Sequence, residues 1–303
     1  MTHRRSVFLV LVPLVLFSRT TVVCAAPAAA PTPPAAQPAD TGDKEGATPL
    51  MQAAAGGRID VMQSLLDKGA NINETSKTGN TALMFSVFAE QPEACKLLLS
   101  KKADPNVTNH DGYRALSAAV FKDRPDLATL LLDHGAQVDF KDKNGATPLV
   151  GAIYLGHLEM AKLLLDHGAK PNYVGNGGYT VLMMAAMQGQ TKLAELLVDH
   201  HVDVNAESDQ GQTALILASL KGNTEMVRYL LAHEADIHDQ DINGTTALMA
   251  AVVSGKTDTV QLLIDKGANI NDRNNDDATP LAVATALQKT DVADLLRKAG
   301  AQE

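Results

Sequence analysis

The sequence predicts an all-α solenoid of stacked repeats, and three observations lead to that prediction. From residue 43 to the end of the 303-residue chain, one pattern recurs every 33 positions. Aromatic residues make up only 4% of the chain, so the core must be built from Ala, Leu, Val and Met, which favours close-packed helices over a β-sandwich. Two leucine columns run through eight units without an insertion. The first column is Leu50, Leu83, Leu116, Leu149, Leu182, Leu215, Leu248 and Leu281, and the second is Leu65, Leu98, Leu131, Leu164, Leu197, Leu230, Leu263 and Leu296.

The first half of each unit predicts a short helix. In the first unit, Thr48 is a good N-cap and Pro49 suits the first helical position. Leu50, Ala53 and Ala54 are spaced i, i+3 and i+4, so they form one apolar face. The two alanines favour close approach of neighbouring helices, because their side chains are small.

The second half of each unit predicts a further helix and then a polar turn. In the first unit this helix is expected from Ile59 to Lys68, and Gly69 supplies the left-handed residue that ends it. The polar stretch 71–79 predicts a β-turn finger. The apolar stripe of the helix is Val61, Met62, Leu65 and Leu66.

Two short motifs recur at fixed places in the unit. Thr-Pro-Leu stands at Thr48–Leu50, Thr147–Leu149 and Thr279–Leu281, and Gly-Ala-Asn-Ile-Asn stands at Gly69–Asn73 and Gly267–Asn271. At this period these motifs resemble the ankyrin repeat, whose pattern contains T-P-L-H-x-A. The resemblance implies eight helix–turn–helix units, at residues 43–75, 76–108, 109–141, 142–174, 175–207, 208–240, 241–273 and 274–303.

The sequence departs from the family pattern at one position. The family's His after the Leu is absent from every unit, so the hydrogen bonds made by that His are expected to be missing. Apolar packing is expected to replace them. The residues at this position are Met51, Met84, Ser117, Val150, Met183, Ile216, Met249 and Ala282.

The last unit carries polar residues at three positions where most other units have glycine or an apolar residue. Asp277 and Gln288 stand in glycine columns, and Arg297 stands where other units have Leu, Val or Ile. A repeat array needs a polar outer face at each end. We therefore expect this unit to cap the array.

The N-terminal residues 1–25 have the layout of a secretory signal peptide. Arg4 and Arg5 precede an apolar run at 7–17, and small residues follow that run. The run is shorter than the roughly 20 residues that a spanning helix needs. We expect cleavage after Ala25, and the mature chain is then expected to have no membrane span. An uncleaved anchor is the less favoured reading.

Residues 26–42 follow as an Ala/Pro-rich linker, for which polyproline geometry is expected. Cys24 leaves open a second interpretation of the N-terminus, since bacterial lipoproteins are cut just before a Cys and acylated on it. That motif has a small residue before the Cys, whereas this chain has Val23. A lipoprotein is therefore the less favoured alternative.

Charge and cysteine content exclude several classes of function. The formal net charge of −9 argues against an electrostatic nucleic-acid binder or a binder of anionic membranes. Two cysteines cannot form a disulfide framework. Cys95 lies in an apolar column of the second helix, which predicts a buried, inert thiol.

The resemblance implies that the concave side, formed by finger tips and first helices, binds other proteins. One column near the end of the first helix carries large apolar residues in six consecutive units. This pattern predicts either an exposed groove or half-buried side chains that pack over the missing-His positions. The column is Phe88, Phe121, Tyr154, Met187, Leu220 and Val253, and the end units have Ala55 and Ala286. In the fingers, Tyr113 and Tyr179 are predicted to be further interface anchors.

Two other patterns suggest metal sites only superficially. One column consists of histidines that stand a full unit apart, a spacing too wide for them to share one metal ion: His134, His167, His200 and His233. They stand in the last turn of the second helix, where a partial positive charge complements the helix dipole. The segment 239–244 copies half of a calcium loop but lacks the required final Glu. The acidic finger at 272–277 leaves weak calcium binding open. We expect no metal and no cofactor.

No catalytic motif interrupts the repeats. The chain has no H-E-x-x-H, G-x-S-x-G or phosphate-binding loop. The sequence therefore predicts a non-enzymatic, monomeric scaffold, exported to the periplasm of a bacterium, that binds a protein partner. The alternatives are a secreted effector that binds proteins of another cell and an enzyme whose site is assembled across repeats.

Overall fold

The computed structural model describes residues 46–302, which form sixteen α-helices in eight helix–turn–helix pairs. The first helices are α1 (Pro49–Ala55), α3 (Ala82–Phe88), α5 (Ala115–Phe121), α7 (Pro148–Leu155), α9 (Val181–Gln188), α11 (Ala214–Lys221), α13 (Ala247–Ser254) and α15 (Pro280–Ala286). The second helices are α2 (Ile59–Asp67), α4 (Pro92–Ser100), α6 (Pro125–Asp133), α8 (Leu158–Asp166), α10 (Thr191–Asp199), α12 (Thr224–Ala232), α14 (Thr257–Asp265) and α16 (Thr290–Lys298). The predicted all-α solenoid is confirmed. The predicted signal peptide at 1–25, Cys24 and the linker at 26–42 lie outside the described residues.

A threonine cap starts seven of the eight first helices. Its Oγ1 accepts the backbone N–H of the third residue in the helix, with N–O distances of 3.2 to 3.5 Å. Arg114 cannot cap in this way, and there the Oγ of Ser117 accepts the backbone N–H of Arg114 at 3.2 Å. The seven caps are Thr48, Thr81, Thr147, Thr180, Thr213, Thr246 and Thr279.

The prediction for the missing-His positions is right about packing and partly wrong about hydrogen bonds. Six of the eight side chains are buried, so apolar packing does replace the His. In two units, however, a thioether sulfur accepts a bond. The backbone N–H of Thr48 donates to Sδ of Met51 at 3.3 Å, and that of Thr180 donates to Sδ of Met183 at 3.4 Å. A thioether is a weak acceptor, but it satisfies an amide that would otherwise be unpaired at the start of the helix.

The core runs along the whole array, between the helices of each pair and between neighbouring pairs. The first leucine column is buried in all eight units. The second column is buried in seven units, and only Leu65 in the terminal unit is half-buried. Ala53 and Ala54 are fully buried, as expected for residues that let helices approach closely.

The fingers close on themselves and also bond to one another. Within a finger, one Asn or Asp side chain accepts two backbone amides, as Asp142 does from Asn144 and Ala146. This is the predicted turn geometry. Backbone N–H groups also donate to the preceding finger, from His110 to Thr78, Asp209 to Gly177, Ile242 to Gln210 and Asn275 to Asn243, at 2.9 to 3.0 Å.

The last unit has the polar outer face that the sequence predicts. Asp277, Gln288 and Arg297 are all exposed, and Arg297 pairs with Asp294 at 3.2 Å. Asp277 and Gln288 keep the left-handed backbone of the glycine columns, with φ of 63° and 55°. In the described part of the chain, no helix is long and apolar enough to cross a membrane, since the α-helices have at most nine residues.

Candidate protein-binding face

A row of apolar side chains lies at the C-terminal ends of six first helices, with one side chain from each helix. We call this row the stripe, and every member is half-buried, which is the degree of burial that the packing alternative predicts. Partner binding by the stripe stays a prediction. Its members are Phe88, Phe121, Tyr154, Met187, Leu220 and Val253. Phe88, Met187, Leu220 and Val253 also pack against the core. One part of each of these four side chains therefore supports the stack while another part faces solvent.

The half-exposed position follows from helix geometry. The stripe residue stands four positions after the missing-His residue, so the two lie on the same face of the helix, one turn apart. Met84 and Met183 are fully buried, and Phe88 and Met187 lie one turn further on, where the first helix ends. The stripe thus begins where the buried face of the helix reaches the surface.

The two finger tyrosines have different environments, and the prediction for Tyr179 is wrong. Its side chain is only 6% exposed, and its hydroxyl donates to Oε1 of Gln212 at 2.6 Å. Tyr179 therefore joins two units from the inside and offers no ring to a partner. Tyr113 is half-buried, and burial, followed by the carboxylates of Asp142 and Asp111, raises the pKa of its phenol. Tyr113 is therefore the more accessible of the two finger tyrosines.

Two exposed apolar residues of the fingers were missed by the sequence reasoning. Val174 is 62% exposed and Ile242 is 56% exposed, each in a finger between two units. A signal was available, because the other members of their columns are polar. The column of Val174 is otherwise Thr75, Thr108, Lys141, Glu207, Gln240 and Arg273, and that of Ile242 is Lys77, His110, Lys143, Asn176, Asp209 and Asn275.

Charged groups beside the N-terminal part of the stripe neutralise one another. Glu90 pairs with Arg124 at 3.1 Å and with Lys122 at 3.6 Å, so it joins the second unit to the third. Arg124 also pairs with Asp126 at 2.6 Å, and this hydrogen bond lowers the pKa of the Asp126 carboxyl. His157 Nδ1 lies 3.6 Å from Asp123. The charged side chains of this region therefore form ion pairs with one another within the protein.

Three carboxylates in the fingers of the C-terminal part of the array are not neutralised. Glu207 and Asp209 are exposed and Asp239 is half-buried, and within residues 46–302 none of the three forms an ion pair. Burial, followed by the charges of Asp236 and Glu207, raises the pKa of Asp239. The fingers of this region therefore present uncompensated negative charge to solvent.

Three of the four histidines in the column are bonded within their own helices. The Nδ1 atoms of His134, His167 and His233 bond to the carbonyl oxygen four residues earlier, at 2.8 to 2.9 Å. Oδ1 of Asp241, in the calcium-like segment, accepts the amides of Asn243 and Thr245. Among residues 46–302, no group of three or more His, Cys, Asp or Glu is placed to hold a metal ion.

The predicted buried thiol is confirmed. Cys95 is fully buried, and its Sγ lies 2.9 Å from Oγ of Ser86. Burial raises the pKa of the Cys95 thiol to about 11, although the hydrogen bond to Ser86 opposes the shift. The thiolate is the nucleophilic form, so this cysteine is unreactive at neutral pH.

Comparison with known families identifies the architecture. The family model described as ankyrin repeats (3 copies) matches the chain at residues 33–109, 89–175, 174–241 and 233–303. No curated protein sequence matches the chain significantly. Proteins of this family are generally non-enzymatic modules for protein–protein interaction. Because the matches together span most of the sequence, the chain belongs to the ankyrin-repeat family.

Proposed function

We propose that this protein is a non-enzymatic, monomeric scaffold that binds a protein partner on its concave face. That face consists of the stripe and the finger tips. The observation that carries the proposal is the stripe itself, in which six consecutive units hold a large, half-exposed apolar side chain in register. Contiguous exposed apolar surface of this kind marks interaction sites in soluble proteins.

The dimensions of the stripe suit a protein ligand. Neighbouring units stack at about the distance of packed helices, 8–10 Å, so six units extend over roughly 40–50 Å. This length accommodates an extended peptide or a helix of a partner. Phe88, Phe121 and Tyr154 supply aromatic side chains, which are frequent energetic centres of interfaces.

The absence of catalysis is part of the proposal. The sequence holds no catalytic motif, and Cys95, the cysteine in the described residues, is buried with a raised pKa. The family membership supports the same conclusion, since ankyrin repeats typically serve as interaction modules.

Export to a bacterial periplasm is the second part of the proposal. It is supported by the basic residues, apolar run and small residues of segment 1–25 and by the Ala/Pro-rich linker after it. The intact mass of protein from the periplasmic fraction should correspond to a chain beginning at Ala26. A chain recovered outside the cell would favour the secreted effector, and an acylated Cys24 would show a lipoprotein.

Binding is tested by affinity capture from a periplasmic extract of the protein's own host, with mass spectrometry of the captured material. The double variant Phe121→Ser/Tyr154→Ser should weaken partner binding at least about tenfold, because it removes two aromatic anchors from the face. Its melting temperature should fall by only a few degrees.

The matched control is Val61→Ser, which removes a 43% exposed apolar side chain from the second helix of the first unit. This control should bind like the unaltered protein. If the double variant unfolds near room temperature, the stripe is structural. If it keeps both its fold and full binding, the partner uses another surface.

A further inference from the structure

The fingers divide into two groups by charge. The four fingers at 73–79, 106–112, 139–145 and 172–178 together carry four carboxylates and three lysines. The three fingers at 205–211, 238–244 and 271–277 carry seven carboxylates and one arginine. Formal charge is therefore close to balanced along the first group and strongly negative along the second.

Most carboxylates of the second group form no ion pair within the described residues and are available to a ligand. Glu207 and Asp209 are exposed and unpaired, and Asp239 lies close enough to Glu207 for the two carboxylates to repel. Arg273 is the single cation of these fingers, and it already pairs with Asp277 at 3.0 Å. Asp241 is likewise not available, because it is buried and bonded to the amides of its own finger.

Apolar surface accompanies this charge. Ile242 projects from the middle finger of the acidic group and is 56% exposed. The stripe members of the same units are Met187, Leu220 and Val253, all half-buried and none aromatic. A side chain such as Ile242 in an otherwise polar finger has no role in the core. An apolar anchor set among uncompensated carboxylates is complementary to an apolar group set among cations.

We propose that the partner segment bound by units 5 to 7 is cationic, an extended stretch with several Lys or Arg side chains and one apolar side chain that packs on Ile242. This inference rests on the proposed function and specifies its ligand. The cations of the segment face Glu207, Asp209 and Asp239, and its apolar side chain faces Ile242.

Electrostatics gives this arrangement a measurable signature. Complementary charge raises the association rate and suppresses partners of the wrong sign. Exposed charges are screened as salt rises, so affinity should fall with ionic strength. A contact made only by the aromatic part of the stripe lacks this dependence.

The test is a selection of random dodecapeptides displayed on phage against the protein, followed by affinity measurement with one enriched synthetic peptide. Enriched peptides should carry net positive charge and one apolar residue. Binding should weaken from about 0.03 to about 0.3 M NaCl. The variant Glu207→Gln/Asp209→Asn/Asp239→Asn keeps the shape of each side chain and should weaken binding at least about tenfold. Ile242→Ser should weaken it separately.

The control variant removes the same number of charges elsewhere. Asp133→Asn/Asp166→Asn/Asp199→Asn neutralises three exposed carboxylates at the ends of α6, α8 and α10. It changes the net charge equally but leaves the fingers intact, and it should retain binding. An equal loss of affinity in the two triple variants would overturn the inference, because net charge and not this surface would then be responsible.

Other outcomes separate this inference from the proposed function. Enrichment of neutral or acidic peptides whose binding is lost in Phe121→Ser/Tyr154→Ser would overturn the cationic ligand and leave the scaffold function standing. Failure to enrich any peptide on the unaltered protein would count against both.

Discussion

The N-terminal and C-terminal parts of the stripe use the same helical framework for different chemistry. In units 2 to 4 the stripe is aromatic, and the charges beside it are consumed by ion pairs among Glu90, Lys122 and Arg124. In units 5 to 7 the stripe is aliphatic, and in the fingers of these units the carboxylates of Glu207 and Asp209 stay unpaired. The repeated backbone therefore fixes only where each side chain stands. The identity of the neighbouring side chains decides whether a charged group forms an ion pair within the array or remains available to a ligand.

The residue type at one turn also differs between the two parts, although the left-handed backbone is shared and unit 4 already has Gly156 there. At the turn that follows the first helix, Glu90 and Asp123 hold left-handed φ values of 55° and 49°, where Gly189 and Gly222 both have φ of 68°. A non-glycine residue in this conformation costs about 1–2 kcal/mol. Glu90 and Asp123 are also members of the charged network, so strain and ion pairing coincide in the N-terminal part.

The largest expected effect concerns Cys95, whose place in the sixth unit is taken by Val227. The folded pKa of about 11 lies above the unfolded value near 9. Between these values the unfolded state loses its proton and the folded state does not, so stability falls as pH rises from about 9 to 11. The full effect is about 2–3 kcal/mol.

This prediction is checked by urea unfolding at several alkaline pH values. The difference in stability between the unaltered protein and Cys95→Ala should be constant below pH of about 8.5 and should shrink above it. A difference that does not change with pH would contradict the burial of the thiol. A thiol reagent should modify Cys95 only on unfolding.

The two finger tyrosines provide the next test. Tyr179→Phe should lower the free energy of unfolding by about 1–2 kcal/mol, because it leaves the buried Oε1 of Gln212 without its donor. Tyr113→Phe is the matched variant in the N-terminal part, and its effect should stay within about 0.5 kcal/mol. Chemical denaturation measures both. Equal effects would mean that the two hydroxyls are in similar environments.

The turn residues test the difference in strain directly. Gly222→Ala should destabilise the protein by about 1–2 kcal/mol, because the residue has positive φ and the new Cβ would lie 2.4 Å from Cγ of Lys256. Glu90→Gly should instead be neutral or stabilising, since relief of strain offsets the loss of exposed ion pairs. Thermal melts of the two variants compare them. Destabilisation by Glu90→Gly as large as that of Gly222→Ala would show that the ion pairs dominate.

Two buried serines give the smallest expected effect, of opposite sign in the two parts. The Oγ of Ser219 is buried in the C-terminal part without a hydrogen-bond partner, so Ser219→Ala should stabilise by about 1 kcal/mol. The Oγ of Ser86 donates to the carbonyl of Leu83 at 2.7 Å, so Ser86→Ala should destabilise by about 0.5–1 kcal/mol. Urea midpoints that shift in the same direction would contradict this contrast.

The sequence by itself determined the solenoid, the positions of the helices and most of the core, although Val61, predicted in the apolar stripe of the second helix, is 43% exposed. These features depend on local signals that repeat in register. A Thr-Pro pair such as Thr48–Pro49 favours the start of a helix through local interactions. A leucine column that is invariant over eight units must contact equivalent neighbours in each unit. The burial of Cys95 followed for the same reason, since the rest of its column is apolar.

Tertiary structure alone decided which side chains of the face are available. Tyr113 and Tyr179 occupy the same column, yet one is half-buried and the other is buried, because only Tyr179 has Gln212 beside it to accept its hydroxyl. Pairing of Glu90 with Arg124 joins residues a full unit apart. The exposure of a side chain and its ion pairs depend on which residues the neighbouring unit places beside it. The 33-residue period predicts the spacing of the units but not these contacts.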